Sequence, residues 1–158
     1  MKYPIGIQSF NQIIEDGYVY VDKTDLVYRL THEGKIYFLS RPRRFGKSLL
    51  VSTLENYYLG RKELFKGLAM ERLEKEWAVH PVFHVDFNGV NFTREGVLEG
   101  MLKDYVREWE KRHNLQADDN LDFGIRFRHI LRAAHEQTGR RAVVLIDEYD
   151  KPILDVLD

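Results

Sequence analysis

The stretch IYFLSRPRRFGKSLL, residues 36–50, limits this chain more than any other. A short apolar run enters an arginine-rich segment, meets Gly46-Lys47-Ser48 and passes at once into leucines. That order predicts a strand, a tight loop and a helix start. Such a loop can hold a phosphate group. Its backbone N–H groups and the helix N-terminus face the anion, and a lysine and a hydroxyl stand beside it. The full pattern is G-x-x-x-x-G-K-[ST]. Gly46, Lys47 and Ser48 match its second half, and Arg41 stands where the first glycine belongs. The tripeptide alone is weak evidence: with glycine at about 7% of residues, chance supplies it in roughly one chain in ten of this length. The apolar run before it and the amphipathic run after it are the context the pattern requires.

Periodicity extends the reading in both directions. Residues 18–21 and 36–39 are short β-prone runs. Asp22 or Thr24 can cap a helix carrying Leu26, Val27 and Leu30, and Gly34 can end it. Residues 47–59 place Leu49, Leu50, Thr53, Leu54, Tyr57 and Tyr58 on one helical face. Residues 61–79 predict one or two short helices with Leu68, Leu73 and Trp77 inward. Residues 82–87, VFHVDF, predict a strand. Thr93 can cap a long helix over 94–113, with Val97, Leu98, Met101, Leu102, Tyr105, Val106 and Trp109 on its buried stripe. A further helix over 121–138 turns Phe127, Ile130, Leu131 and Ala134 inward and ends at Gly139. Residues 142–146, AVVLI, form a final strand. Strands separated by helices imply parallel pairing with helices on the sheet faces. Wholly apolar strands such as AVVLI are expected where both faces are covered.

Composition removes several alternatives. The chain has 158 residues, which fits one domain, and its 24 basic and 25 acidic residues leave a formal net charge of −1. No global basic field marks a nucleic-acid partner. Without cysteine there are no disulfides and no thiolate metal sites. No stretch approaches the ~18 apolar residues of a membrane span, and the first residues lack a signal-peptide core. The chain reads as a soluble cytoplasmic protein with no membrane partner.

Asp147 and Glu148 follow AVVLI directly. An acid at the carboxyl end of a buried parallel strand stands where open α/β sheets bind ligands. Magnesium on phosphates takes a carboxylate there, often through water. A second acid beside it can orient or deprotonate a water attacking a γ-phosphoryl group. Plainer readings stand next to these. Lys47 could be a solvated helix-start lysine, and Asp147 and Glu148 could be turn residues. Arg41, Arg43 and Arg44 could be an exposed loop, a polyphosphate clamp or a contact to a nucleic-acid strand. His80 and His84 read as structural or exposed, since no histidine or carboxylate recurs at a metal-ligand spacing. Asp86, on the middle strand, could approach the site or be a polar edge position. Tyr18, Tyr20, Tyr57 and Tyr58 read as core rather than as a base-stacking platform.

Taken together, YPIGIQSFNQIIEDGYVYVDKTDLVYRL, FLSRPRRFGKSLLVSTLENYYLG, LFKGLAMERLEKEW, HPVFHVDF and VVLIDEYDKPI resemble the AAA-ATPase-like family of bacterial proteins. The resemblance covers almost the whole chain. It implies a P-loop NTPase fold, three layers α/β/α around a parallel sheet, truncated here after the third core strand. It makes Arg41 the family's own form of the loop. It implies a cofactor-binding set of Arg43, Arg44, Phe45, Gly46, Lys47, Ser48 and Leu49 for ATP, with Lys47 on the β/γ-phosphates. Ser48 and Asp147 would hold Mg2+, and Glu148 would polarise the attacking water, so Glu148 and Lys47 are the catalytic pair. Residues 20–24 are similar to a lead-in that lies near the adenine.

On that resemblance residues 1–158 are the N-terminal part of an AAA-like ATPase domain. Residues 1–35 form a lead-in strand and helix, and residues 36–158 form the P-loop core. The strand order 5-1-4-3-2 sets a missing strand between the phosphate-loop strand and the acidic one. A C-terminal remainder or a second copy of the chain is expected to complete the sheet, and a nuclease-like domain commonly follows, which would bring nucleic acid as a partner. The expected function is Mg-dependent ATP binding, with hydrolysis in the intact protein. The rivals are a GTPase or phosphotransferase on the same fold and an arginine-loop module that binds nucleic acid. No guanine-reading Asn/Thr-Lys-x-Asp motif follows the acidic strand.

Overall fold

The computed structural model describes residues 1–34, 36–37 and 46–157, with side chains as far as Asp155. They form two compact units, Met1–Val79 and His80–Asp158.

The first unit is helical among its described residues: α1 (Phe10–Glu15), α2 (Thr24–Glu33), α3 (Lys47–Tyr58), a 3₁₀ turn (Lys62–Phe65) and α4 (Ala69–Leu73). One carboxylate organises two of these helix starts. Asp22 Oδ1 accepts from the Thr24 amide at 2.9 Å and the Thr24 hydroxyl at 2.7 Å, and Oδ2 accepts from the Ala69 amide at 2.8 Å. The buried Thr24 hydroxyl in turn accepts from the Met70 amide at 2.9 Å. Amides at helix starts lack intrahelical acceptors, so these bonds satisfy α2 and α4 together. The core gathers Phe10, Val27, Tyr57, Leu64, Phe65 and Met70, with Leu49, Leu50, Leu54, Tyr20 and Tyr58 packed against it. Tyr20 meets Phe10 edge-on at 5.3 Å, and Tyr57 meets Trp77 edge-on at 6.0 Å. Tyr20, Tyr57 and Tyr58 are therefore core residues, as their spacing suggested.

Three expectations change here. Residues 18–21 form no strand. Tyr18 makes a single parallel bridge with Lys2, because four β-prone residues find no longer partner. Ile36 and Tyr37 are exposed and lie in no strand, and Phe38 and Leu39 fall outside the described residues. Leu73 is exposed. Leu64, Phe65 and Met70 fill the core in its place, since the 3₁₀ turn and α4 present those side chains inward.

The second unit holds β1 (Val82–Asp86), α5 (Val97–Arg112), α6 (Phe123–Thr138), β2 (Val143–Asp147) and α7 (Lys151–Leu157). The strands pair in parallel, Val82 opposite Val143 through Asp86 opposite Asp147. Parallel neighbours need a long crossover, which α5 and α6 supply. Phe83 and Val85 pack with Phe87, Phe92, Val106, Trp109, Ile130 and Ala134. Trp109 lies 5.2 Å from Phe83, edge-on, and 5.6 Å from Phe127.

The final strand departs from its reading as buried on both sides: Val144 is 40% and Ile146 51% exposed. Alternate side chains point to opposite faces, and the cluster under α5 and α6 includes Phe83 and Val85 without these two register partners. The start of α5 also moves. Thr93 spends its amide and hydroxyl on Asn91 Oδ1, and the helix begins three residues after the predicted start, behind a left-handed Gly96 with φ +80°. Between α5 and α6 lies a pair the periodicity did not reveal. Arg126 Nε donates to Glu110 Oε1 and Nη2 to Oε2, both at 2.8 Å, with both side chains buried. Asp119 takes the remaining reach of Arg126 at 3.1 Å and also pairs with Arg107 at 2.9 Å.

Candidate functional site

In the first unit the candidate residues cluster at the start of α3. Gly46 takes φ +77°, a left-handed conformation that favours glycine, and α3 begins directly after it with Lys47, Ser48 and Leu49. Leu50 is the first residue to bond back, its amide donating to the Gly46 carbonyl at 3.0 Å. The amides of Lys47, Ser48 and Leu49 therefore point forward without intrahelical acceptors. No acidic side chain stands in that first turn. A helix start of this kind carries the positive end of the helix dipole, which favours an anion. Arg41, Arg43, Arg44 and Phe45 lie outside the described residues.

In the stretch over residues 20–24 the polar groups of Tyr20, Asp22 and Thr24 are engaged by the protein itself. Asp22 and Thr24 hold the starts of α2 and α4. Burial pushes the Tyr20 hydroxyl up, partly offset by a hydrogen bond with Thr53. Burial also pushes the Asp22 carboxyl up. The Thr24 amide and hydroxyl, the Ala69 amide and the charge of Arg72 together outweigh that, so the net shift is down.

In the second unit the candidates gather at the carboxyl ends of the parallel strands. Asp147 is the last residue of β2 and is buried. Its Oδ1 accepts from the Glu148 amide at 3.0 Å, and its carbonyl accepts from the Phe87 amide at 3.2 Å. Glu148 adopts φ +54°, a costly conformation for a residue with a side chain, as β2 turns towards α7. Asp86 is the register partner of Asp147, and its Oδ1 accepts from the Asn88 amide at 2.8 Å. The sequence left Asp86 between approaching the site and a polar edge position; the ladder sets it beside the acidic strand end. Asp150 Oδ1 is buried with no hydrogen-bond partner among the described residues. Lys151 pairs with Asp155 at 2.7 Å, and Asp155 also accepts from the Phe92 amide at 3.0 Å. This ties α7 to the segment after β1. Among the described residues no three histidine or acidic side chains form a metal-holding group. His80 Nδ1 meets the Arg141 carbonyl at 2.9 Å, in keeping with its structural reading.

One cluster in the first unit had no signal in the sequence. The Tyr57 hydroxyl donates to Glu74 Oε2 at 2.5 Å, while Oε1 accepts from the amides of Lys75 and Glu76 at 2.8 and 2.9 Å. His32 Nε2 stands 4.0 Å from Oε2. Burial first, and then Glu74, push the Tyr57 hydroxyl far up. Glu74 itself is held below its usual range, because the Tyr57 bond, the two amides and His32 outweigh its burial. Both carboxylate oxygens of Glu74 are used within the unit, so the cluster reads as a fastening of α2, α3 and the segment after α4.

Among the described residues no helix is long and apolar enough to cross a membrane. No solved structure matches the chain. A curated protein of Azotobacter chroococcum mcd 1, named "Uncharacterized protein in vnfD 5'region", is 43% identical over 158 residues, which cover 99% of this chain and 30% of that protein. The chain therefore spans less than a third of that relative's length. The family model AAA-ATPase_like, described as "Predicted AAA-ATPase", matches residues 4–158. With the helix start behind Gly46, the paired strands and their acidic ends in place, the chain belongs to this AAA-ATPase-like family.

Proposed function

We propose that the chain carries the phosphate-binding and acidic elements of a magnesium-dependent ATP site, and that the intact protein hydrolyses ATP. The scaffold would be a three-layer P-loop fold, of which β1 and β2 are two core strands. The observation that carries this reading is the start of α3. A left-handed glycine delivers Lys47 and Ser48 into a first turn with forward-facing amides and no acid of its own. That donor set fits a polyphosphate.

Lys47 would neutralise the β/γ-phosphates, and the amides from Lys47 to Leu49 would bind their oxygens. Ser48 and Asp147 would hold magnesium. The buried Asp147 suits this role, since the Glu148 amide occupies only one of its oxygens. The ion would neutralise charge developing on the phosphates. Glu148 would orient the attacking water as general base. Arg43, Arg44 and Phe45 would line the same loop.

Calorimetry with ATP and magnesium tests the reading. The wild-type chain should bind, and Lys47→Ala should weaken binding at least tenfold. ATP at 100 times its dissociation constant should stabilise the fold by about 2.7 kcal/mol. Unchanged affinity in Lys47→Ala would remove the phosphate-loop assignment. Preference for GTP over ATP would move the protein to the GTPase reading.

A further inference from the structure

A second charged surface lies on α6 and the turn that closes it. The His80–Asp158 unit contains 15 acidic and 11 basic residues, yet residues 123–141 hold five arginines and one glutamate. Charge is thus segregated within the unit. Arg126 is consumed in the buried pair with Glu110. The other four arginines, Arg128, Arg132, Arg140 and Arg141, are exposed, and none is paired to a carboxylate among the described residues. Arg128, His129, Arg132, His135 and Glu136 occupy the outer face of α6, opposite Phe127, Ile130 and Ala134. Arg128 and Arg132 are one turn apart, about 6 Å along the axis.

The turn after α6 is held firmly. Gly139 closes the helix at φ +64°. The Arg140 amide donates to Thr138 Oγ1 at 3.2 Å, and the Arg140 carbonyl accepts from His135 Nδ1 at 2.9 Å. His80 Nδ1 fixes the Arg141 carbonyl at 2.9 Å. Arg140 and Arg141 thus leave a rigid backbone, next to the last turn of α6. The helix dipole accounts for cations at that end. It does not account for Arg128 and Arg132, which stand mid-helix with no acid paired to them.

We propose that this face, Arg128, Arg132, Arg140 and Arg141 on α6 and its closing turn, binds the phosphodiester backbone of a nucleic acid. Guanidinium groups pair with phosphate oxygens two at a time, and two of them one turn apart, with two more in the turn that follows, suit a repeating anion better than a single one. Contacts to phosphates position a nucleic acid without reading its sequence, so binding here should depend little on sequence. The proposal does not depend on the ATP reading.

Fluorescence anisotropy with labelled 20-mer DNA, single-stranded and duplex, tests this on the full 158-residue chain at several salt concentrations. The wild type should bind one or both forms with an affinity that falls steeply with salt. Arg128→Gln/Arg132→Gln should weaken binding at least tenfold and flatten the logarithmic salt slope by about 2, roughly one unit per lost phosphate contact. Both side chains are exposed, so its melting temperature should match the wild type. Lys62→Gln/Lys66→Gln, which removes the same charge from the other unit, should bind as the wild type does. Binding that survives the α6 double variant would overturn the proposal, as would equal loss in the lysine variant or equal competition by polyglutamate. Magnesium-ATP added to the wild type should leave binding in place; its abolition would assign the nucleic acid to the phosphate loop instead.

Discussion

Arg126 and Glu110 bring two opposite charges into the core between α5 and α6, and their value lies in being present together. Removing one partner strands the other in a low-dielectric interior, at a cost of about 3–5 kcal/mol. Arg126→Ala should therefore unfold much of the second unit in a thermal melt. Arg126→Met/Glu110→Leu, which removes both charges and keeps the volume, should retain most of the stability. In the sequence Arg126 looked no different from Arg128. Periodicity named Phe127, Ile130, Leu131 and Ala134 as inward, and all four pack in or against the core. What it missed was the acid facing Arg126 from the neighbouring helix, a fact of pairing that no single-helix pattern contains. Asp22 and Glu74 act at the same scale. Both carboxyls are held below their unfolded values in the fold. Their contribution is therefore complete above the ordinary carboxylate range near pH 4 and fades as pH falls through the folded values. Melting temperature followed from pH 7 to pH 2 should drop on the acid side, and Asp22→Asn should show a shallower drop from a lower starting point.

Helices were easier to locate than their ends. The long amphipathic runs gave α3, α5 and α6 because a 3.6-residue stripe over twelve or more residues leaves little choice. Their starts depend on which short polar side chain wins a local competition. Thr93 was a fair N-cap candidate, but its hydroxyl turns back to Asn91, and α5 waits for Gly96. For α6 the winner is Asp122, whose Oδ1 accepts from the Gly124 amide at 2.8 Å. Asp122→Ala should cost about 1 kcal/mol. For a unit of this size that is roughly 4–8 °C in melting temperature by calorimetry. Equal melting of variant and wild type would mean that solvent satisfies the amide as well as the carboxylate does. The helix start at Lys47 was legible because the phosphate-loop pattern specifies glycine then lysine at that boundary, and Gly46 indeed precedes the first turn in left-handed geometry.

For the molecule as a whole, alternating strands and helices predicted parallel pairing, and β1 and β2 pair in parallel. The same reasoning overstated burial of the last strand. Apolar content tells how much a strand can bury, and its neighbours decide how much it does. The candidate residues were named from two motifs; their described parts are a helix start behind Gly46 in one unit and an acid closing β2 in the other. The parallel ladder has a further consequence, for the order of assembly. Its paired residues stand sixty-one positions apart, as Val82 and Val143 do, whereas Glu110 and Arg126 meet across sixteen. Closing the longer loop costs about 1.2 kcal/mol more in chain entropy. The α5–α6 hairpin should then form first and serve as the surface on which β2 settles. In refolding kinetics Ile130→Val should slow folding, while Leu145→Ala should mainly quicken unfolding.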